Sequence, residues 1–399
     1  MNPTEIKPKI FFIGVNDTST QFFEGLWPIK DEGISYNSYL INDQKKALID
    51  MCKDVTRQDF LENLRQVIDP TTLNYIIINH MEPDHSGALE EIINLSPKAQ
   101  IFCTERARGM LKGFFGVEEN IHVIQDGELL PLGECQLQFF STPNVHWPET
   151  MMTYETTHQI LFSCDGFGGY GKLAKGIFDD TCEDLPFYEQ ESLRYFSNIV
   201  ASFSKPTLSA IEKLEGLPIN MVAPSHGLIW RNRPNRIIGD YKHWAEYARQ
   251  PGDAGITLLH GSMYGNTDLL LPALQAGLAE TGVKVQSFDV VTTHFSYILP
   301  SLWTLQGVLI GAPTYEGRIF PGMAQVLDFA ATKHLPPRQA AYFGSFGWGG
   351  GALRQLTEKL ATLKWDLTDS LEFIGRPTAE SMERGKEMGR KFGNLILGK

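Results

Sequence analysis

The chain has 399 residues, of which 42% are hydrophobic, and it carries a formal net charge of −12. Single cores stop growing near roughly 250–300 residues, so two domains are expected. The acidic balance argues against a nucleic acid or an anionic membrane surface as a partner. No apolar run approaches the roughly 18 residues of a membrane helix, and the first 17 residues lack a signal-peptide pattern.

The cysteines are few, odd in number and scattered, and they include no C-x-x-C pair: Cys52, Cys103, Cys135, Cys164 and Cys182. Such a set argues against a disulfide framework and against a four-cysteine iron site. We therefore expect a reducing, cytoplasmic compartment.

The first 250 residues alternate short apolar runs with turn signals. Apolar runs predict strands at 10–15, 35–41, 46–50, 75–78, 100–104, 121–125, 136–141, 159–164 and 220–223. Helical spacing predicts helices at 57–67, 88–93, 105–115 and 241–249. One stretch between a strand and a helix, residues 79–87, is exceptionally rich in reactive side chains.

This stretch brings together two imidazoles and two carboxylates, at His80, Glu82, Asp84 and His85. Four such groups at the end of a buried strand need charged partners or a metal, because buried charges are not stable alone. Pro83 stiffens the segment, and Gly87 is expected to supply an unusual backbone angle. The motif therefore predicts a metal site on a tight loop.

Three later residues repeat the pattern of a strand followed by a ligand-type side chain and then a Gly or Pro. They are His146, Asp165 and His226. Each of them alone is as well explained by an ordinary polar strand end. Four strand-end loops of one sandwich can meet at one rim, so together they predict a shared metal centre.

A turn-rich segment at 250–255 precedes a change of pattern. Strands are predicted at 256–260, 283–288, 308–311 and 340–343, with a helix at 268–280 and helix-like segments between the other strands. This alternation indicates a doubly wound parallel sheet. We place the domains at 1–250 and 251–399.

Three loops of the second domain are small-residue segments that follow strands. The first resembles the phosphate loop of short-chain flavodoxins, and the other two correspond to the loops that flank the flavin ring there. The predicted FMN contacts are Ser262, Met263, Tyr264, Gly265, Asn266, Thr267, Pro313, Thr314, Tyr315, Glu316, Gly317, Ser345, Phe346, Gly347, Trp348 and Gly349. The second domain contains no G-x-G-x-x-G fingerprint, so the sequence gives no support for a dinucleotide site there.

The motif H-x-E-x-D-H followed by His146, Asp165 and His226 resembles the metal motif of the flavodiiron proteins, or A-type flavoproteins, and the resemblance runs through both domains. It implies an α/β and α+β two-domain fold, a metallo-β-lactamase-like αββα sandwich followed by a flavodoxin-like domain. It also implies FMN and two irons as cofactors. His80, Glu82 and His146 would hold one iron, Asp84, His85 and His226 the other, and Asp165 would bridge them.

Glu82 distinguishes this motif from that of zinc hydrolases with the same fold, which typically carry a histidine there. A carboxylate makes the site harder and richer in oxygen, which favours iron over zinc. Three carboxylates and one bridging hydroxide also balance the charge of two divalent ions. Two alternatives stay open, a dinuclear zinc hydrolase fused to a flavodoxin-like domain and a non-enzymatic redox protein with a structural metal site.

The resemblance implies an oxidoreductase that passes electrons from an external donor through FMN to the irons and reduces O2 to water or NO to N2O. The donor would be rubredoxin, a reduced deazaflavin coenzyme or a flavin/NADH reductase system. A head-to-tail homodimer, alone or paired into a tetramer, would bring FMN of one subunit beside the irons of the other. Trp348 is expected in that interface, and Tyr195 beside the metal pocket.

Overall fold

The computed structural model describes all residues, Met1–Lys399, and contains two compact units, Met1–Ala245 and Glu246–Lys399. The strands of the first unit are β1 Thr4–Lys7, β2 Ile10–Phe12, β3 Val15–Asp17, β4 Phe22–Phe23, β5 Trp27–Pro28, β6 Ile34–Tyr36, β7 Tyr39–Asn42, β8 Lys46–Ile49, β9 Tyr75–Ile77, β10 Gln100–Cys103, β11 Ile121–Val123, β12 Leu129–Pro131, β13 Gln136–Ser141, β14 Met151–Glu155, β15 Ile160–Cys164 and β16 Met221–Pro224. Its helices are α1 Arg57–Val67, α2 Pro83–Ser86, α3 Leu89–Leu95, α4 Glu105–Phe115, α5 Leu185–Tyr195, α6 Ser204–Lys213 and α7 Pro234–Glu246.

Two sheets form the first unit, one with strand order β1-β2-β7-β8-β9-β10-β11 and one with order β12-β13-β14-β15-β16. Their facing sides meet through aromatic rings. Phe102 stacks on Phe139 with ring centroids 5.7 Å apart, and Tyr39 lies 4.9 Å from Phe162. Every residue of β14 and β15 is buried, so the core lies between the sheets with helices outside, as a sandwich of this class requires.

Strand direction in the second sheet explains where the polar loops lie. β13 and β15 both run antiparallel to β14, and β16 runs parallel to β15. The carboxyl ends of β13, β15 and β16 therefore point the same way. The loops that carry His146, Asp165 and His226 follow these three ends.

The second unit is a parallel sheet with strand order β18-β17-β19-β22-β23. Its strands are β17 Asp253–His260, β18 Lys284–Asp289, β19 Leu305–Gly311, β20 Thr314–Tyr315, β21 Arg318–Ile319, β22 Gln339–Phe346 and β23 Asp366–Ile374. Its helices are α8 Leu271–Thr281, α9 Phe295–Thr304, α10 Pro321–Thr332, α11 Ala352–Leu363 and α12 Ala379–Ile396. The two-residue strands β20 and β21 pair only with each other.

Side chains of β17 alternate between the two faces of this sheet. Ile256 and Leu258 belong to one buried cluster with residues of α8 and α12. Thr257 between them is bonded instead to Ser301 of α9, with the hydroxyl oxygens 2.7 Å apart. Helices therefore cover both faces, and the fold is the predicted doubly wound sheet.

α8 and α12 approach each other backbone to backbone. A Cβ atom added to Gly277 of α8 would overlap the carbonyl oxygen of Lys386, and one added to Gly389 of α12 would overlap that of Leu274. Only glycine fits at these two positions. The close contact lets the larger side chains of both helices reach the sheet.

Several predicted elements differ from the observed ones. The strand predicted at 10–15 is broken at Gly14, and that at 35–41 is broken after Tyr36, so that β3 and β6 form a small sheet of their own. The helix predicted at 241–249 begins earlier, at Pro234. Strands β12, β14 and β23 were not predicted individually, nor were helices α5 and α6. No helix combines the length and apolar character that crossing a membrane requires.

Candidate metal centre and cofactor cavity

The 79–87 segment does not form the predicted loop throughout. Residues Pro83–Ser86 make one helical turn, with Pro83 at its start, where its missing N–H costs nothing. The prediction of an unusual backbone angle at Gly87 was wrong, because its φ is −62°. Glycine is needed there for space, since a Cβ would lie 2.6 Å from the backbone nitrogen of Asp54.

The structure brings all seven predicted metal-binding side chains together as two adjoining clusters. The first cluster contains His80, Glu82 and His146. The Oε2 atom of Glu82 lies 3.2 Å from Nε2 of His80 and 3.1 Å from Nε2 of His146. Ligand atoms about 2.0–2.2 Å from one ion lie roughly 3.0–3.5 Å apart, so these spacings suit a shared ion.

The second cluster contains Asp84, His85 and His226. Nε2 of His226 lies 3.3 Å from Oδ2 of Asp84, and Nε2 of His85 lies 3.4 Å from Oδ1 of Asp84. The imidazole of His85 thus points into the cluster. The spacings again match those of ligand atoms around one ion.

Asp165 connects the two clusters through its separate carboxylate oxygens. Oδ2 lies 3.4 Å from Nε2 of His80 and 3.2 Å from Nε2 of His146. Oδ1 lies 3.0 Å from Nε2 of His85 and 3.2 Å from Nε2 of His226. A carboxylate shared in this way is suited to bridging two metal ions.

Buried polar atoms without a hydrogen-bond partner show whether these residues fit metal ions. Both carboxylate oxygens of Asp84 and of Asp165 are buried without a hydrogen bond, as are Nε2 of His85 and Nε2 of His226. Buried polar atoms are rarely left in this state unless a metal or another group completes them. The donor set of imidazole and carboxylate suits iron, so the residues fit two such ions.

Neighbouring charges shift the ionisation of these groups strongly. Burial alone would raise the pKa of the Glu82 carboxyl, but the adjacent His146 and His80 lower it to about 2. Burial lowers the pKa of His226, yet Asp165 and Asp84 raise it to about 10. The site therefore has the concentrated negative charge that attracts cations.

Two buried acidic residues hold the 79–87 segment in place through hydrogen bonds. Glu149 accepts hydrogen bonds at Oε1 from Nδ1 of His80 at 2.6 Å and from the backbone N–H of Met81 at 3.0 Å. Asp50 accepts from the backbone and side-chain nitrogens of Asn79, at 2.8 and 2.9 Å. Neither acid was predicted, although Glu149 is the only acidic residue between Glu134 and Glu155.

Aromatic side chains form part of the surroundings of the clusters. The ring of Tyr195 lies 5.7 Å from that of His226, and its buried hydroxyl makes no hydrogen bond. Phe23 lies 5.5 Å from His226, and Trp147 lies 5.1 Å from His80. Tyr195 thus lies where it was expected, at the edge of the metal pocket.

The second unit contains a cavity of about 650 Å³, a size typical of cofactor sites. The three predicted loops line it, through Ser262, Met263, Tyr264, Asn266, Pro313, Thr314, Tyr315, Glu316, Gly317, Ser345, Phe346, Gly347, Trp348 and Gly349. Gly375 also lines it and was not predicted. It follows β23, the last strand of the sheet, which carried no recognised loop motif.

Two predicted contacts support this cavity rather than line it. Thr267 is fully buried, and its hydroxyl oxygen lies 2.8 Å from that of Ser345, so the first and third loops are tied together. Gly265 has a φ of +85° and donates its N–H to Oγ of Ser262. The loop bends tightly enough to present backbone N–H groups, the arrangement that binds phosphate.

Comparisons with known proteins agree with this geometry. A family model described as "ODP family beta lactamase" matches residues 34–227. The anaerobic nitric oxide reductase flavorubredoxin of Klebsiella pneumoniae is 34% identical over 391 residues, which cover 96% of this chain and 80% of that protein.

Two solved structures resemble the whole chain, each with a TM-score of 0.92 and 26% identity. One is the flavodiiron protein from Giardia intestinalis, for which the match covers 100% of this chain and 97% of that one. The other is the rubredoxin oxygen:oxidoreductase from Desulfovibrio gigas, with coverage of 100% and 99%.

Proposed function

Since this chain belongs to the flavodiiron protein family, we propose that it passes electrons from an external donor through FMN to the two irons and reduces nitric oxide to nitrous oxide, dioxygen to water, or both. It is an oxidoreductase that uses FMN and a two-iron centre. The relatives favour this function over the zinc hydrolase alternative. Because these relatives are reductases, they also argue against the other alternative, a non-enzymatic redox protein whose metal site is only structural.

One observation supports this proposal above the others: the two oxygens of Asp165 face different clusters, at 3.0 to 3.4 Å from four imidazole nitrogens. We assign Asp165 as the bridge between the irons. His80, Glu82 and His146 would hold one iron, and Asp84, His85 and His226 would hold the other. A carboxylate shared by both clusters would keep two ions close together, as a reaction on one small gas molecule needs.

When bound, the two irons and FMN together supply the four electrons that one dioxygen requires and open coordination positions for the gas. The remaining chemistry belongs to the side chains. Glu149 orients the imidazole of His80 through a hydrogen bond to Nδ1. The backbone carbonyl of Ser35 orients His226 in the same way. Tyr195 places an unpaired hydroxyl beside the site, where it can donate a hydrogen bond to a bound gas.

We assign the cavity of the second unit to FMN. Ser262, Asn266 and the backbone of the 262–267 loop would hold the phosphate, and the aromatic side chains would flank the ring. Tyr315 is 44% exposed and Trp348 is fully exposed. A bound flavin would cover part of this apolar rim.

We propose a head-to-tail homodimer, or a pair of such dimers, in which the cavity of one chain lies beside the metal clusters of its partner. The exposed faces of Trp348 and Tyr264 support an interface at the cavity rim, because large apolar side chains are seldom left fully in water. Rubredoxin is the first donor to test, as the Desulfovibrio gigas relative carries it in its name. A reduced deazaflavin coenzyme and a flavin/NADH reductase system are the other two.

Two further assignments complete the proposal. We place the metallo-β-lactamase-like domain at 1–250 and the flavodoxin-like domain at 251–399, which the two compact units support. We also propose a cytoplasmic location, which the five free cysteines support.

The test is the metal and flavin content of protein prepared without oxygen from iron-rich cells, followed by single turnovers with dioxygen and with nitric oxide. We expect about two irons and one FMN per chain and, after anaerobic reduction of the protein with dithionite, faster flavin oxidation by at least one gas than in the iron-free control. Protein stripped of iron but loaded with FMN is the control. Two zincs in place of iron, or flavin oxidation no faster than in the iron-free control with either gas, would contradict the proposal.

A further inference from the structure

We propose that Glu149 is a positioning residue for one of the two irons: it fixes His80 and thereby strengthens the binding of the ion in the first cluster only. The inference rests on the proposed function, because it takes His80 as an iron ligand. It assigns a role to a buried acid that does not itself touch the metal.

Glu149 lies where it can control His80. Its side chain is fully buried, and Oε1 accepts hydrogen bonds from Nδ1 of His80 and from the N–H of Met81. The first bond fixes the plane of the imidazole ring and leaves Nε2 free to bind a metal. The second bond fixes the backbone immediately after His80.

The backbone around Glu149 is also anchored, so the carboxylate is a rigid support. Thr104 donates its hydroxyl to the carbonyl oxygen of Glu149 at 2.7 Å. The neighbouring Thr150 donates its hydroxyl to the carbonyl of Thr142 and accepts from the N–H of Val145. The same segment carries His146, so Glu149 joins the loops of two ligands of one ion.

The other cluster has a weaker counterpart of this arrangement. Nδ1 of His226 lies 2.8 Å from the backbone carbonyl oxygen of Ser35. A carboxylate is anionic and makes a metal-bound imidazole a stronger ligand than a neutral carbonyl does. The two irons should therefore differ in affinity, with Glu149 responsible for a large part of the difference.

The unmet bonding of Glu149 argues against a purely structural role. Its Oε2 is buried and makes no hydrogen bond. A buried negative charge left half-satisfied is costly unless a positive centre lies close by, and an iron on the far side of His80 supplies one. The hydrogen bonds that Glu149 makes to its neighbours do not explain why a charged side chain occupies this buried position.

Glu155, the last residue of β14, offers a matched control. It is also fully buried, and it accepts from the backbone N–H groups of Thr157 and His158, at 2.9 and 2.7 Å. Both of its oxygens are used within the adjacent turn. No hydrogen bond or ion pair joins it to the seven assigned ligands, so a buried acid only a few residues further along the chain can be compared with Glu149.

The experiment compares Glu149→Gln and Glu149→Asp with Glu155→Gln in the full chain with FMN bound. Iron-depleted protein is titrated with Fe(II) without oxygen, and ⁵⁷Fe Mössbauer spectra follow the two sites. We expect Glu149→Gln to weaken one of the two sites about 10- to 100-fold and to shift one of the two iron signals. Glu149→Asp should recover part of the affinity, and Glu155→Gln should leave both sites unchanged.

Equal weakening of both sites, no weakening of either, or the same effect in Glu155→Gln would overturn the inference. If Glu149→Gln does not fold, as judged by circular dichroism, the comparison of Glu149→Asp with the unaltered chain decides in the same way. Failure of the unaltered chain to bind iron is a different result. It would contradict the proposed function itself.

Discussion

The metal centre and the cofactor cavity are built in opposite ways. All seven assigned ligands are enclosed, and the most exposed side chain among them, that of Glu82, is only 12% accessible. The cavity of the second unit instead lies open, with Trp348 fully exposed and Tyr264 91% exposed on its rim. The ligands of one site are shielded from water within their unit, whereas the rim of the other is exposed to water.

The difference shows what each kind of site requires from the sequence. The metal centre depends on side-chain identity, because particular imidazole and carboxylate atoms must meet in a region without water. The cavity depends more on backbone shape, because loops with glycine and hydroxyl residues can offer N–H groups with many side chains. Substitutions should therefore separate the two sites cleanly.

The largest separation is expected from Glu82→His. The change replaces a hard oxygen ligand by imidazole, so the first cluster should take zinc in place of iron, and gas reduction should fall about 100-fold or more. FMN content should stay near one per chain. Metal analysis together with turnover checks this.

Glu90→His is the control, since Glu90 is exposed on α3, close to the same motif. It should retain iron and activity. Full gas-reductase activity in Glu82→His would show that ligand hardness does not select the metal here.

Thr267→Val should have a smaller effect and should affect the other site, weakening FMN binding but not iron binding. The change leaves the buried hydroxyl of Ser345 without its partner and frees two cavity loops from each other. The loss of about 1–2 kcal/mol should raise the FMN dissociation constant roughly 5- to 30-fold, with iron content unchanged. Fluorescence titration of flavin-free protein measures the constant.

Thr257→Val removes an equivalent buried bond, that to Ser301, away from the cavity. It should lower stability by a similar amount without changing FMN affinity. An equal loss of FMN affinity in both variants would mean that general destabilisation, rather than the loop connection, is responsible.

The smallest difference between the two sites is expected from Asp43→Asn, because Asp43 belongs to neither site. Burial alone would raise the pKa of the Asp43 carboxyl, but the N–H of Cys135 and the ammonium of Lys9 lower it to about 2. Because this value is below the ordinary 3.8, the carboxylate stabilises the fold fully above about pH 4, and that stability is lost as the pH falls towards 2.

Asp43→Asn should therefore cost about 1–2 kcal/mol at pH 7 and progressively less below pH 4. Urea unfolding between pH 3 and pH 7 measures this, with iron and FMN contents as internal references. Asp126→Asn, which removes an exposed ion pair with Lys213, is the control and should change little. A cost independent of pH would show that the charge of Asp43 is unimportant.

Much of this structure could be predicted because it is encoded locally. The spacing of His80, Glu82, Asp84 and His85 predicted a cluster, and the run of glycines and hydroxyl residues after β17 predicted a loop that borders a cavity. The alternation of strands and helices after residue 255 predicted the parallel sheet. In each case a few neighbouring residues carry the chemistry or the periodicity.

What could not be predicted depends on distant partners. In the sequence, nothing distinguishes Glu149 from an ordinary acidic loop residue. Its role becomes visible only in the folded chain, where it contacts His80, 69 residues away in sequence. Gly87 was predicted to supply an unusual backbone angle, but a side chain is excluded there by backbone atoms, those of Asp54 elsewhere in the fold and those of the nearby Pro83. β14 was missed since its five residues are all buried and carry no alternation.

The glycine contact between α8 and α12 also bears on how the second unit is made. These helices lie about one hundred residues apart in the chain. Their backbone contact therefore cannot form until α12 has been synthesised. During synthesis the side of α8 that carries Gly277 therefore stays uncovered until residues 379–396 have been made. We expect this helix contact to be among the last to form as the second unit folds.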